Sequence, residues 1–360
     1  MIRQIELGEP AAVLRELGKD RRLTGYGGAN FGMPLGLMEP DGDPIVPTER
    51  FFLRSNGPVP VVDAGTWALT VGGHVERPIS LSLADLRAME RRSYAAVLEC
   101  AGNGRTFFDP VPEGTPWRYD AAGNARWSGV PLAAVLDLAW VRDGAVDLVA
   151  QGADMPGMRR GLPVAIARDP DTLLVLEMNG APLTVGHGAP VRLLVPGWAG
   201  IASTKWLVGI EVLDRAFDGF WNADNYVVWS AAGEPLRPVQ EMPVKAVVST
   251  PTDGATVAAG PVRIAGYAWS GYGAIRRVEV SVDGGETWSD VAFRGEGRRA
   301  WVRWETSWEA APSKTETETV ILARATDERG LRQPMVAAWN PKGYQQNGVQ
   351  RVRVRVRVEG

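Results

Sequence analysis

The stretch "YAAVLECAGNGR", residues 94–105, decides how the first half of this 360-residue chain is read. Its apolar run, residues 95–98, is short and ends at turn residues, which marks a buried strand. "AGNG", residues 101–104, then forces a tight turn, because two glycines and an asparagine tolerate backbone angles that other side chains resist. Cys100, the one cysteine of the chain, therefore stands where a rigid strand meets a tight loop. A lone buried cysteine ordinarily serves as a small hydrophobe. Glu99 and Arg105 argue against that here, since a thiolate beside an arginine is a reactive nucleophile or a metal ligand.

Around this stretch, residues up to about Gln240 mix short strands with helix-like pieces. "SLADLRAME" opens with a serine cap at Ser82 and carries Leu83, Leu86 and Met89 at helical spacing. "PLAAVLDLAW" places Pro131 in a first helical turn. "TWALTVGGHV", "AVDLVAQG", "DTLLVLEMNG" and "PVRLLVPG" read as strands, with glycine and proline at the junctions. This mixture predicts an α+β domain over residues 1–240, without the alternation of a doubly wound sheet.

From Met242 the texture becomes all-β. "IRRVEVSVDGGETWSDVAF" carries a hairpin signal at Asp283. "VQRVRVRVRVEG" alternates Val352, Val354, Val356 and Val358 with arginines, the signature of a half-buried strand. Residues 241–360 are expected to form an immunoglobulin-like sandwich without its disulfide, joined to the first half near the linker "EPLRPVQEMPV".

Composition narrows the chemistry. Apolar residues make up 45% and charged residues 22%, with a net charge of −3, so neither nucleic acid nor an acidic membrane surface is an expected partner. No apolar segment is long enough to span a bilayer. No signal peptide is visible, and a cytoplasmic location is expected. Two histidines and one cysteine cannot build an ordinary zinc site without carboxylates. Phosphate-loop, nucleophile-elbow and dinucleotide-turn motifs are missing, and "GYGGAN" lacks the third glycine of the last.

Four segments remain: "ECAGNGR", "FFLRSNGPVP", "HGAPVR" with "KWL" downstream, and "FWNADNYVVW". With "SVDGGETW" in the second half, they resemble the sulfite oxidase family of molybdenum enzymes, from about Phe51 to the C-terminus. The resemblance implies a molybdenum cofactor, Mo-molybdopterin, with Cys100 as the protein ligand of the metal. It implies a substrate pocket of Arg54, Arg105, Trp117 and Tyr226, with Lys342 where animal members carry a third arginine. Arg54, Asn56, Asp154, His187, Arg192 and Lys205 match positions that hold the pterin; Asn56 stands where animal members have a histidine.

The activity so implied is oxidation of sulfite to sulfate, with electrons passed to an external acceptor such as a cytochrome, in a homodimer formed through the second half. Sulfite is largely dianionic at neutral pH, and clustered cations suit it because charge-assisted hydrogen bonds are the strong ones. The alternatives are a reductase of nitrate or of a sulfoxide, and a cofactor-free binding protein with a degenerate site. His74, in "GGHVERP", is expected to be an ordinary loop histidine.

Overall fold

The computed structural model describes residues 3–38, 44–295, 297–312 and 317–357. In the first half two sheets lie face to face. One has five strands in the order Arg159–Pro163, Asp147–Gly152, Leu207–Leu213, Ala68–Gly73 and Ile79–Ser82. Only the pairing of Leu207–Leu213 with Ala68–Gly73 is parallel. The other sheet is antiparallel and runs Ala181–Pro182, Leu173–Met178, Ala122–Pro131 and Arg92–Glu99. Arg192–Leu194 pairs with Leu173–Met178 as well.

This second sheet is buried on both faces, which explains the continuous apolar run in "LLVLEM". Leu174 and Leu176 point into the core shared with Leu148, Ala150 and Ile210 of the first sheet. Leu173 and Val175 point the other way, into a core with Phe31, Phe51 and Trp127. Period-two alternation thus serves two cores at once. The N-terminal segment belongs to that second core through Val13, Leu14 and Leu17.

The helix signals hold, with one shift. Ser82 forms a reciprocal capping box with Asp85 ahead of Leu83–Ala88. Pro131 sits at the N-cap of Leu132–Ala139, one position earlier than its sequence suggests.

The second half is a two-sheet β sandwich. Lys245–Thr250, Gly260–Trp269, Val302–Ala310 and Phe293–Arg294 form one sheet. Ala255–Val257, Arg351–Val356, Thr317–Asp327, Ile275–Ser281 and Ser289–Asp290 form the other. Val248, Ile264 and Trp304 from the first meet Val278, Ile321, Val352 and Val354 from the second in one core. In the last strand the valines are buried and the arginines exposed, as alternation requires; Val358 lies outside the described residues. The turn at Asp283 joins antiparallel partners through a longer loop, in which Asp283 accepts hydrogen bonds from Ser281 and Thr287. The linker is partly ordered as a strand: Pro235–Pro238 pairs with Val227–Trp229, directly after Tyr226. Among the described residues no helix is long and apolar enough to cross a membrane.

Candidate functional site

Strand Arg92–Glu99 delivers Cys100 to the turn. The Cys100 N–H donates to the Ala121 carbonyl (2.9 Å), and its own carbonyl accepts from the Asn103 N–H (2.9 Å). Gly104 then adopts φ 87°, a left-handed conformation that favours glycine, and leads into the short turn Arg105–Phe107. The strand's pleat separates neighbours. Cys100 faces a cavity, while the Glu99 carboxylate accepts hydrogen bonds from Lys245, from Trp269 Nε1 (2.9 Å) and from Asn103 Nδ2 (2.8 Å). Glu99 is therefore a structural anchor rather than polar company for the thiol, which corrects the sequence reading.

The cavity has two chambers that share Arg54, Asn56, Cys100 and Tyr226 at their junction. His187, Arg192, Lys205 and Asp154 line the inner chamber. The outer chamber, about 490 Å³, is lined by Arg105, Trp117 and Lys342. The structure thus brings together, around Cys100, every candidate residue that the sequence singled out. Separate segments supply them, and Lys342 comes from the second half.

Each is held by identifiable contacts. Arg54 donates to Asn30 Oδ1 (2.8 Å), to the Ser55 carbonyl (2.5 Å) and to Asn56 Oδ1. Tyr226 is buried, with its hydroxyl 3.3 Å from Asn56 Nδ2. Arg105 donates to the carbonyls of Thr115 (2.6 Å) and Lys342 (3.1 Å), so its guanidinium bridges the two halves. Arg192 donates to the carbonyls of His187 (3.2 Å) and Ser203 (3.1 Å) and lies over the Trp127 ring. Lys205 donates to the Gly186 carbonyl (3.1 Å) and packs against Trp206. His74 Nε2 lies 2.9 Å from the Asp143 carbonyl, away from the cavity, as expected of a loop histidine.

Electrostatically the inner chamber is unbalanced. Among the described residues, four cationic side chains (Arg54, Arg160, Arg192, Lys205) line it against one carboxylate, Asp154. Burial, reinforced by the neighbouring Arg192, pushes the Lys205 ammonium well below its usual range. Burial, then Lys19, Arg192 and Lys205, likewise depresses His187. Asp154 is pushed up by desolvation, against the pull of Lys205. A buried cluster of like charge is costly unless an anion fills it. Arg192 Nε is also buried without a hydrogen-bond partner among the described residues. The chamber therefore suits a polyanionic group with acceptor atoms.

No three His, Cys, Asp or Glu side chains converge among the described residues. A metal bound at Cys100 would take its remaining ligands from a cofactor. Both observations fit a pterin that carries a phosphate and a metal.

Of the residues in or beside the cavity that escaped the sequence reading, three stand out. Arg160 lines the inner chamber and donates to the carbonyls of Trp221 (2.5 Å) and Val239 (2.5 Å), fixing the segment that carries Tyr226. Tyr344 lines the outer chamber, stacks on Tyr226 with ring centroids 5.1 Å apart, and lies under Arg105. Lys19 reaches His187 from the N-terminal segment. Tyr344 stands two residues after Lys342 and could have been flagged from that; Arg160 and Lys19 lie in segments without a motif.

Fold and cavity together define an oxidoreductase domain that holds a molybdopterin, followed by a β-sandwich partner domain. Residues 56–221 match the model of the oxidoreductase molybdopterin binding domain, and residues 237–357 that of the Mo-co oxidoreductase dimerisation domain. The chain belongs to the sulfite oxidase family. It is 38% identical to the mitochondrial sulfite oxidase of Mus musculus over 336 residues, covering 87% of this chain and 62% of the mouse protein. With the sulfite oxidase of Arabidopsis thaliana it shares 31% identity over 352 residues, 87% of this chain and 88% of that one. The sulfane dehydrogenase SoxCD of Paracoccus pantotrophus superposes with a TM-score of 0.82 at 28% identity, covering 98% of this chain and 93% of that one. The chain thus spans about three-fifths of the mouse protein's length and nearly all of the plant one.

Proposed function

We propose that this chain oxidises sulfite to sulfate at a molybdenum cofactor and hands two electrons to an external acceptor. One observation carries the reading: Arg54, Arg105 and Lys342 line the same chamber as Cys100, with Glu113 as the one carboxylate there among the described residues. Such a chamber favours a small dianion, because each cationic contact is a charge-assisted hydrogen bond. When bound, the cofactor supplies a metal centre that accepts two electrons as sulfite sulfur gains an oxygen atom originating in water.

The chain's own groups supply the rest. The Cys100 thiolate is a soft ligand suited to holding the metal. Arg192, His187 and Lys205 seat the anionic pterin, and Asp154 offers an acceptor to its nitrogen donors. Arg105, oriented by the carbonyls of Thr115 and Lys342, presents a planar fork to the substrate oxygens, whereas Lys342 is a point charge that positions them less strictly. The Tyr226 hydroxyl, held near Asn56, adds a donor at the junction of the chambers.

The dimerisation-domain match supports association of two copies through the second half. A cytochrome as acceptor and a cytoplasmic location complete the proposal; a chain with a single cysteine forms no internal disulfide, which suits a reducing compartment. The test is an assay of purified protein with sulfite, nitrate and methionine sulfoxide, using artificial electron partners, alongside elemental analysis for molybdenum. Sulfite-dependent reduction of the acceptor is expected. Fast reduction of nitrate or sulfoxide with no sulfite turnover would overturn the reading, and absence of molybdenum would favour a cofactor-free binding protein.

A further inference from the structure

Helix Pro10–Glu16 ends in a tight reversal that the sequence "RELGKD" encodes. Gly18 takes φ 63°, and the Lys19 N–H returns to the Leu14 carbonyl (2.8 Å), a glycine-terminated helix stop. That reversal turns Lys19 inward, where only 8% of it is exposed. Its ammonium donates to the Thr48 carbonyl and lies 3.0 Å from His187 Nε2. Thr48 O is also 3.4 Å from the same ring nitrogen. The ring is further fixed edge-on to Phe51, with centroids 5.5 Å apart.

Burial lowers Lys19 to about 7, and below that pH its side chain is an ammonium, with three donors and no lone pair. The ring nitrogen facing it must therefore accept, and in a neutral imidazole the proton then sits on the other nitrogen. Burial and the surrounding cations hold His187 well below its usual range, so the ring is neutral. His187 lines the inner chamber, and no described protein group partners its Nδ1.

We propose that Lys19 is a positioning residue that fixes His187 as its Nδ1–H tautomer, so that the histidine offers a proton donor to an acceptor atom of the cofactor. This rests on the molybdopterin reading of the inner chamber. It extends the cofactor site to a segment that precedes residues 56–221, the span of the molybdopterin-domain match. Without Lys19 the proton would move to Nε2, where the Thr48 carbonyl waits to accept it. The ring would then turn a lone pair toward an already electron-rich guest.

The chain has two histidines, so ¹⁵N-histidine labelling resolves both rings, with His74 as internal control. Below about pH 7, where Lys19 keeps its proton, wild-type His187 should show the shifts of a protonated Nδ1 and a bare Nε2. Lys19→Met, of similar length and apolar, should reverse that pattern and leave His74 unchanged. The variant should also lose molybdenum and pterin on dialysis roughly tenfold faster, the scale on which partners of a ligating group act. A wild-type His187 protonated at Nε2, or a Lys19→Met spectrum with the tautomer unchanged, overturns the proposal. A reversed tautomer with unaltered cofactor retention overturns the role toward the cofactor. Wild-type protein that never holds pterin sinks the molybdopterin reading itself and, with it, that role, while the spectra still decide what Lys19 does to the ring.

Discussion

Glu99 and Lys245 form an ion pair in the interior between the two halves, with 4% and 1% of their side chains exposed. Glu99 is adjacent to Cys100 and also holds Asn103, whose Oδ1 accepts from the Ala121 N–H (3.0 Å). One carboxylate thus ties the second half to the turn that carries the thiol. Lys245→Met leaves that carboxylate buried and unpaired, a loss of about 3–5 kcal/mol in such pairs. Urea unfolding should show a loss on this scale, and adding Glu99→Gln should recover part of it. A Lys245→Met protein as stable as wild type would show that the pair is not a clamp.

Cys100→Ser should fold and bind little molybdenum. Among the described residues the thiol has no hydrogen-bond partner that a hydroxyl would upset, but a hydroxyl is a harder and less acidic ligand. Thermal unfolding should shift by only a few degrees while sulfite turnover disappears. Near-normal turnover in a folded, metal-loaded variant would remove Cys100 from the role of ligand.

Neutralising the outer chamber should weaken sulfite use more than it alters the fold. Loss of one charge-assisted contact costs about 1.5–3 kcal/mol, so Arg54→Gln and Lys342→Gln should each lower kcat/KM roughly tenfold or more. Arg105→Gln should be worst, since it also releases the carbonyls of Thr115 and Lys342. Lys342→Arg should be tolerated. Raised ionic strength should increase KM, and less so in the neutralised variants. Wild-type kinetics in both Gln variants would falsify the cationic-pocket assignment.

Cofactor-free protein should gain stability as pH rises. Burial lowers Lys19 to about 7, against the pull of Glu49, and depresses Lys205 beside Arg192. Because folded values lie below unfolded ones, the native state binds fewer protons than the unfolded chain between about 7 and the unfolded lysine value. Stability therefore climbs across that window, and the penalty is fully present below it. A bound anion restores the preference for charged lysines, so the loaded protein should show a flatter profile. Thermal unfolding of both forms between pH 6.5 and 10 checks this; parallel profiles would count against an anion among these lysines.

The parts legible in the sequence were those written in local pattern. The alternation of Val352, Val354 and Val356 fixed the face of the last strand, and the cap at Ser82 fixed a helix start. Cys100, Arg105, His187 and Arg192 stood out because their segments carry recognisable motifs, and the structure gathers them at one cavity. Glu99 was misread because adjacency in sequence is opposition across a strand. Lys19 and Arg160 were invisible for a different reason: their partners lie far away along the chain, and nothing in "ELGKDRR" or "GMRRG" announces a distant histidine or carbonyl.

Lys342 and Tyr344, which wall the outer chamber, precede strand Arg351–Val356, which inserts between Ala255–Val257 and Thr317–Asp327. During synthesis, the inner chamber's lining is complete once Tyr226 has left the ribosome, long before that closing strand exists. A chain halted by a premature stop within strand Arg351–Val356 would retain every described inner-chamber residue yet lack part of the pairing that seats this strand in its sheet. Vectorial synthesis thus sets an order of assembly, with the lining of the inner chamber made before the second-half residues that wall the outer one.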